Sequence, residues 1–564
     1  MTRMIKNYNK VLGAMAIALS ITACSDKWDE HYNADSGFKG NLWETISSNP
    51  DLSNFAKVLK ASGYDASLAS SQMFTVFAPT NANLSEDEAA NLIADYQQQK
   101  GQKVKDNDNT TIKEFIQNHI ALYNYSVSSN SNDSIVMMNG KYLPLTYNSF
   151  GGQAISGESK TVGNGILYTL DNKVNYTPNV FEYLEKDAQL DSVAKFLYSY
   201  NDYQFEPSLS VPGDIVDGKT QYLDSVSVLN NKMFSYLKAK LSSEDSTYWM
   251  VVPTNEVWER LVPEYEKYYQ YDKSIANRDS MQYVNARLAL LRGTVFSRTL
   301  NPDASVRDSA MSTNSCGYES REYVYGTYDA KYYQYDKPYD NGGIFNGTED
   351  YQCSNGKVMK SSDWNIDKKQ TFFQTIIAEG ENNDRLDSVN QKTTSTPLTI
   401  RKVNSSNPFY GKISGNSYCE ITPSRGAASD LMAVFNVPNV LSNVGYDIYV
   451  VIAPATAYEY STASELLPTK IRVRMSYNDE NGKQPAKENG WTMLASSIET
   501  DPEEVCVFKV GDNIKIPYCS VGDNITPQVK IILSTRVTNS EVRNGTHNRI
   551  IRLDKIIFKP HEEE

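Results

Sequence analysis

Three regimes of hydrophobic patterning follow one another along the chain. Val11 to Ala23 is a 13-residue apolar run, preceded by Arg3, Lys6 and Lys10. It is too short to cross a bilayer and has the make-up of a signal-peptide core. From Asn41 the pattern turns helical. Leu42, Ile46, Leu52, Phe55, Val58 and Leu59 form an apolar stripe, broken at Asn49-Pro50 and stopped at Gly63. Met73 to Pro79 then reads as a short buried strand, and Thr80-Asn81 is suited to cap a following helix. The same strand-Pro-Thr-Asn-helix succession returns at Tyr248 to Trp258. Beyond residue 398 the period becomes two. Residues 446–452, 470–477, 505–510, 529–533 and 550–558 read as strands, with no long helical stretch, which predicts a β-sandwich. Asp384 to Pro397 is polar and reads as a linker.

The repeated block carries a resemblance. Thr75-Val76-Phe77-Ala78-Pro79-Thr80-Asn81-Ala82, then Phe115-Ile116-Gln117-Asn118-His119-Ile120, then Asn164 to Asp171 with Pro178 beyond, resemble the ordered blocks of the fasciclin family. A second copy resembles it through Tyr248 to Trp258, Leu288 to Val295 and Asn355 to Val358, without the histidine of the middle block. The resemblance implies non-catalytic adhesion or matrix modules, each a helical layer on a β-wedge. Asn118 stands where the family often has tyrosine, and His119 reads as a hydrogen-bonded core histidine. The ending Ile551 to Pro560 resembles the last strand of jelly-roll modules of bacterial surface proteins. The expected fold is thus α+β: two fasciclin-like domains (37–187 and 188–383), a linker (384–397) and an all-β jelly-roll-like sandwich (398–564).

The N-terminus sets an expected location. Ile21-Thr22-Ala23-Cys24 resembles the lipobox of bacterial lipoproteins, which implies cleavage after residue 23 and acylation of Cys24. Ser25-Asp26-Lys27-Trp28-Asp29-Glu30 resembles a surface-export signal for outer-membrane lipoproteins, with 24–36 as a tether. Asp-Ser followed by a small or apolar residue, at Ser134, Ser192, Ser225, Ser246, Ser280, Ser309 and Ser388, resembles the O-glycosylation signal of exported proteins in the same bacteria.

Composition narrows the partners. A formal charge of −13 disfavours nucleic acid and anionic lipid headgroups. Six cysteines, Cys24, Cys316, Cys353, Cys419, Cys506 and Cys519, show no metal-site spacing. Cys506 with Cys519 and Cys316 with Cys353 are candidate pairs, and buried free thiols are the alternative. His31, His119, His547 and His561 are scattered, and no zinc-protease, nucleophile-elbow, phosphate-loop or calcium-loop motif is present. Sequence leaves a glycosidase-type carboxylate pair open. No catalytic residue, cofactor or metal is therefore assigned, and the chain is expected not to be an enzyme.

Tyrosine is abundant, 39 against 6 Trp, and concentrates between Glu264 and Asp340. Tyr332, Tyr333 and Tyr335 are the candidate ligand contacts, since aromatic faces stack on sugar rings; the alternative is an insertion packed on its own domain. Together these readings predict a lipid-anchored binding or scaffold protein on the outer-membrane surface. It would serve a TonB-dependent channel and its lid lipoprotein in glycan uptake. An adhesin contacting host matrix or neighbouring cells is the alternative.

Overall fold

The computed structural model describes residues 40–216, 218–224, 227–303, 305–315, 332–390, 398–424, 430–460, 462–485, 488–522 and 529–562. Cys24, the signal peptide, the tether, His31, Cys316, Tyr323, Tyr325 and Tyr328 lie outside these residues. By contact the chain forms two units: residues up to 178 together with 202–230, and residues 179–201 together with 231–564. No helix among the described residues is long and apolar enough to cross a membrane.

In the first unit, helices α1 (Leu42–Ser47), α2 (Ser53–Ser62), α3 (Tyr64–Ala69) and α4 (Glu86–Gly101) accompany one mixed sheet. Its strands are β1 (Phe74–Pro79), β2 (Ile120–Leu122), β3 (Asn132–Val136), β4 (Tyr142–Thr146), β5 (Ser149–Phe150), β6 (Gln153–Val162) and β7 (Gly165–Leu170), in the order β2-β1-β7-β6-β5-β4-β3. Every residue of β1 is buried, as expected for a strand covered on both faces. Leu42, Phe55, Leu59, Phe74, Val76, Ile116 and Leu167 make one core with the helices. Phe77 enters the other, stacked on Phe150 at 3.6 Å and Tyr168 at 5.2 Å. Residues 202–230, with strands β8 (Asn201–Phe205), β9 (Val211–Val216), β10 (Lys219–Asp224) and β11 (Ser227–Asn231), leave the second copy in sequence but group mainly with this unit. The Tyr203 hydroxyl donates to Asp108 at 3.1 Å.

The second unit opens with helices α5 (Val180–Lys186), α6 (Asp191–Tyr198), α7 (Lys232–Leu237), α8 (Asn255–Glu266) and α9 (Arg278–Leu291). Its first sheet repeats the register of the other unit. β12 (Tyr248–Pro253) runs parallel to β17 (Gly356–Ser361) with Tyr248 opposite Gly356, as β1 runs beside β7 with Phe74 opposite Gly165. β13 (Val295–Ser297) takes the place of β2, and β16 (Glu349–Cys353) that of β6. β14 (Ser309–Ser315) and β15 (Tyr332–Asp336) pair separately.

Here the expected boundary at 187/188 is corrected. α5 belongs to the second unit, because Asn179 caps it with the same reciprocal box that Asn41 gives α1. The amide of Val180 also donates to Asn355 Oδ1 at 2.8 Å, as that of Leu42 donates to Asn164 Oδ1 at 2.8 Å. Asn164 and Asn355 each bond two further carbonyls, of Leu68 and Ser70 and of Leu241 and Ser243.

Two antiparallel sheets complete the second unit. One holds β18 (Ile376–Glu379), β20 (Leu398–Lys402), β21 (Ser417–Ile421), β23 (Gly445–Ile452), β26 (Cys506–Lys515) and β28 (Ile551–Pro560). The other holds β19 (Leu386–Val389), β22 (Met432–Val437), β24 (Lys470–Tyr477), β25 (Thr492–Glu499) and β27 (Val529–Thr535). The linker reading is corrected too. β19, inside 384–397, pairs with β22, while β18, well before residue 398, pairs with β28. A polar strand at a sheet edge looks like a linker because only one of its faces meets a core. Residues 391–397 of that stretch lie outside the described residues.

The part of the second unit that repeats the first unit's register is bonded to this β-rich part. Cys519 N–H donates to Gln270 O at 2.7 Å, Tyr271 OH to Val521 O at 2.7 Å, and Lys273 N–H to Glu480 O at 2.8 Å. Ser442 N–H and Oγ bond the carbonyls of Tyr268 and Lys267.

Candidate functional site

Several of the described tyrosines in the tyrosine-rich segment are structural. Tyr265, Tyr269 and Tyr271 are buried, and Tyr269 and Tyr265 pack against Phe372. Tyr335 is 4% exposed and meets Phe296 edge-on at 5.8 Å, so it is not available to stack on a ligand. Tyr332 and Tyr333 enter β15, and their side chains lie outside what is described. Of the candidate cysteine pairs, Cys506 with Cys519 is not formed, and no disulfide joins the described cysteines; Cys316 lies outside the described residues. His119 sits fully in the first core. Its Nδ1 lies 2.7 Å from Phe115 O, and its Nε2 accepts from Val174 N–H at 3.0 Å. Burial lowers its pKa to about 4, so the ring is neutral.

A different cluster forms on the sheet of β20, β21 and β28. Register places Arg401 opposite Tyr418, and Glu420 opposite Arg552. Alternation along β21 then puts Tyr418 and Glu420 on one face while Ile421 takes the other. Arg401 donates to Glu420 Oε1 from Nε at 3.0 Å and from a terminal nitrogen at 2.8 Å. Arg552 approaches Glu420 Oε2 at 3.3 Å. The Tyr460 hydroxyl donates to Glu420, accepts from Arg552 Nε at 3.1 Å, and lies 3.2 Å from Tyr418 OH. Burial, then the neighbouring Tyr460, pushes the Tyr418 phenol up, so it stays protonated. Glu420 carries two arginines and is satisfied, which makes this inner part a scaffold.

Its outer layer is open. Arg401 lies over the Tyr458 ring at 4.3 Å, and Tyr458 is 36% exposed. Asn407 Nδ2 bonds Thr456 O at 2.9 Å, tying the loop that carries Tyr410, itself 51% exposed, to the one that carries Tyr458. An exposed phenol ring on a fixed guanidinium suits a flat polyol, which stacks on a ring and accepts hydrogen bonds from an arginine. Sequence reading missed this group. The one available signal was charged residues inside alternating strands, Arg401, Glu420 and Arg552, which polar exposure explains equally well.

Two other features carry less. Asp447, Asp512 and His561 lie close enough to share a cation, but Lys509 stands between the acids at 3.0 and 2.6 Å and neutralises them. A shallow cleft lined by Glu44, Thr45, Asn49 and Lys160 holds no aromatic ring.

Residues 50–174 match the Fasciclin domain family, so the chain contains a fasciclin domain in its first unit. Among solved structures, a FAS1 domain pair from the insect cell adhesion molecule fasciclin I is 12% identical. It covers 57% of this chain and 98% of its own, at a TM-score of 0.19. The C-terminal family 22 carbohydrate binding module from Clostridium thermocellum is 12% identical and covers 32% of this chain and 95% of its own, at 0.17. A DUF4465 family protein from Bacteroides caccae is 13% identical and covers 33% and 86%, at 0.16. Likeness at this level says nothing about ligand. No curated protein matches the chain.

Proposed function

We propose that this protein is a non-catalytic binding lipoprotein, anchored through Cys24 in the outer membrane and displayed on the cell surface. It captures glycan through the Arg401–Tyr458 face and hands it to a TonB-dependent channel with its lid lipoprotein. The observation that carries the reading is the Tyr458 ring, held on Arg401 and open to solvent. The β-rich part, read as a jelly-roll sandwich, is then the binding module and the fasciclin copies are the scaffold. The fasciclin domain supports a second reading, an adhesin, in which the partner is matrix or a neighbouring cell.

Affinity electrophoresis of the full chain in gels cast with soluble polysaccharides tests the first reading. At least one polysaccharide should retard the protein. Tyr458→Ala should abolish most of that retardation with an unchanged Tm, since one stacked ring contributes about 1 kcal/mol. Retardation that persists in Tyr458→Ala would move the site elsewhere. No retardation on any gel, with no channel recovered in a detergent pull-down, would favour the adhesin. Cys24→Ala should release the protein from membranes.

A further inference from the structure

Three tyrosines of the second unit gather around Phe196 and Lys232. Phe196, buried on α6, is the footing: Tyr200, two residues past that helix, meets it edge-on at 5.6 Å, and Tyr283 of α9 lies 6.1 Å from it. α7 supplies the rest through its amphipathic pattern. Met233, Phe234 and Leu237 are buried, so Lys232 and Tyr236, one turn apart, share the open side. Tyr236 is 45% and Tyr283 43% exposed, enough to present a ring face.

Cations are set among the rings. Lys232 Nζ lies over the Tyr200 ring at 4.6 Å, and the Arg287 guanidinium over the Tyr283 ring at 3.6 Å. Glu266 holds Arg287 at 2.9 Å, so that charge is already matched. Asp279, one turn before Tyr283, is paired with Arg278 at 3.3 Å. Lys232 is different, since it has no ion pair among the described residues. Residues 231–241 hold Lys232, Lys238 and Lys240 and no acid, in a chain whose formal charge is −13.

The hydroxyls are open as well. Those of Tyr200, Tyr236 and Tyr283 make no hydrogen bond among the described residues. Burial first, and then the neighbouring Tyr283, raises the Tyr200 phenol, with Tyr236 adding to the rise and Arg287 opposing it. The phenol therefore stays a protonated donor. The face thus offers apolar ring surfaces, hydroxyls that donate and accept, and one unmatched ammonium. A flexible acidic peptide would engage the ammonium and leave the rings bare. A polyanion would meet the repulsion of the whole chain. A sugar ring with one acidic group uses all three features.

We propose that the Tyr200–Tyr236–Tyr283 face, with Lys232, binds an acidic sugar, a uronate or sulfated residue within a glycan. The sugar ring stacks on the exposed phenols, its hydroxyls exchange hydrogen bonds with theirs, and its carboxylate or sulfate pairs with Lys232. This goes beyond the reading of the fasciclin-like part as a scaffold, and it does not depend on the Arg401–Tyr458 face.

The test immobilises uronate-bearing and sulfated oligosaccharides beside their uncharged counterparts and measures binding of the full chain in detergent. At least one acidic member should be bound about fivefold or more tightly than its counterpart, and its kind, uronate or sulfate, identifies the charged group. Tyr236→Ala and Tyr283→Ala should each weaken that binding about three- to tenfold with an unchanged Tm. Lys232→Gln should remove the preference for the acidic member, and the salt dependence with it. Tyr458→Ala should leave this binding unchanged, which separates the two faces. No acidic member bound better than its counterpart would overturn the proposal, as would equal binding in Tyr236→Ala and Tyr283→Ala. Full competition by triglutamate at equal carboxylate concentration would show that charge alone is read, and would overturn it too.

Discussion

The fasciclin domain and the part of the second unit that repeats its sheet register share their fixed points and differ in what surrounds them. Both place a glycine, Gly165 or Gly356, opposite the first residue of the central strand. Both use the preceding asparagine to hold the first helix and two carbonyls. At the start of the second strand they diverge. His119 O accepts the Phe77 amide in the first copy, and Thr294 O accepts the Val251 amide in the second. The histidine spans to Phe115 and Val174, whereas Thr294 bonds only Leu291 through its hydroxyl. Backbone geometry is thus kept by the positions where a side chain would collide or a carbonyl would lose its donor. The histidine is replaceable because a hydroxyl satisfies the same turn locally.

The sharpest way to break the shared framework is to add a side chain at the glycines. A Cβ on Gly356 would lie 1.8 Å from Tyr248 O, and on Gly165 2.1 Å from Phe74 O. Neither backbone oxygen can move without parting the parallel strands. Gly356→Val and Gly165→Val should each cost more than about 4 kcal/mol. Hydrogen exchange should show the loss mainly in the mutated copy. Equal loss of protection in both copies would mean that they unfold as one.

The histidine gives the next largest contrast. In the folded first copy His119 titrates at about 4, against an ordinary 6.5 in the unfolded chain. As pH falls below 6.5 the unfolded chain takes the proton first. Stability is therefore lost from 6.5 down to about 4, amounting to about 3 kcal/mol at one pKa unit per 1.4 kcal/mol. Exchange of the β1 and β7 amides should accelerate over that window, and His119→Gln should remove that slope. The second copy, with Thr294, lacks this contribution. A flat response in the first copy would show that His119 is not held neutral.

The smallest predicted effect concerns the attachment of the second copy to the β-rich part. Tyr271→Phe removes the bond to Val521 O and the one received from Asn285 at 2.8 Å. The expected cost is about 1–2 kcal/mol. Limited proteolysis of the unmodified chain should not release a stable fragment beginning near residue 398, because β18 and β19 would be cut away. Recovery of such a fragment would show that the two parts fold separately.

The amino-acid sequence by itself determined the local devices of this protein. Thr254 caps α8 from its place in Pro-Thr-Asn, Gly63 stops α2 with a positive φ, and alternation marks β23, β24 and β28. Each depends on residues within a few positions of one another, so the linear pattern holds the whole cause. The fasciclin domain was legible for that reason. Tertiary structure decided what depends on distant partners. It assigned α5 to the second copy through a bond between residues 175 apart in sequence, and turned a polar stretch into an edge strand. It placed Tyr335 in a core rather than on a surface. It alone set Arg401 beside Tyr458. In sequence a charged or aromatic residue in a strand looks the same whether it faces water or a buried partner. Burial and counter-charge become defined only when the strands pair and the sheets close over them.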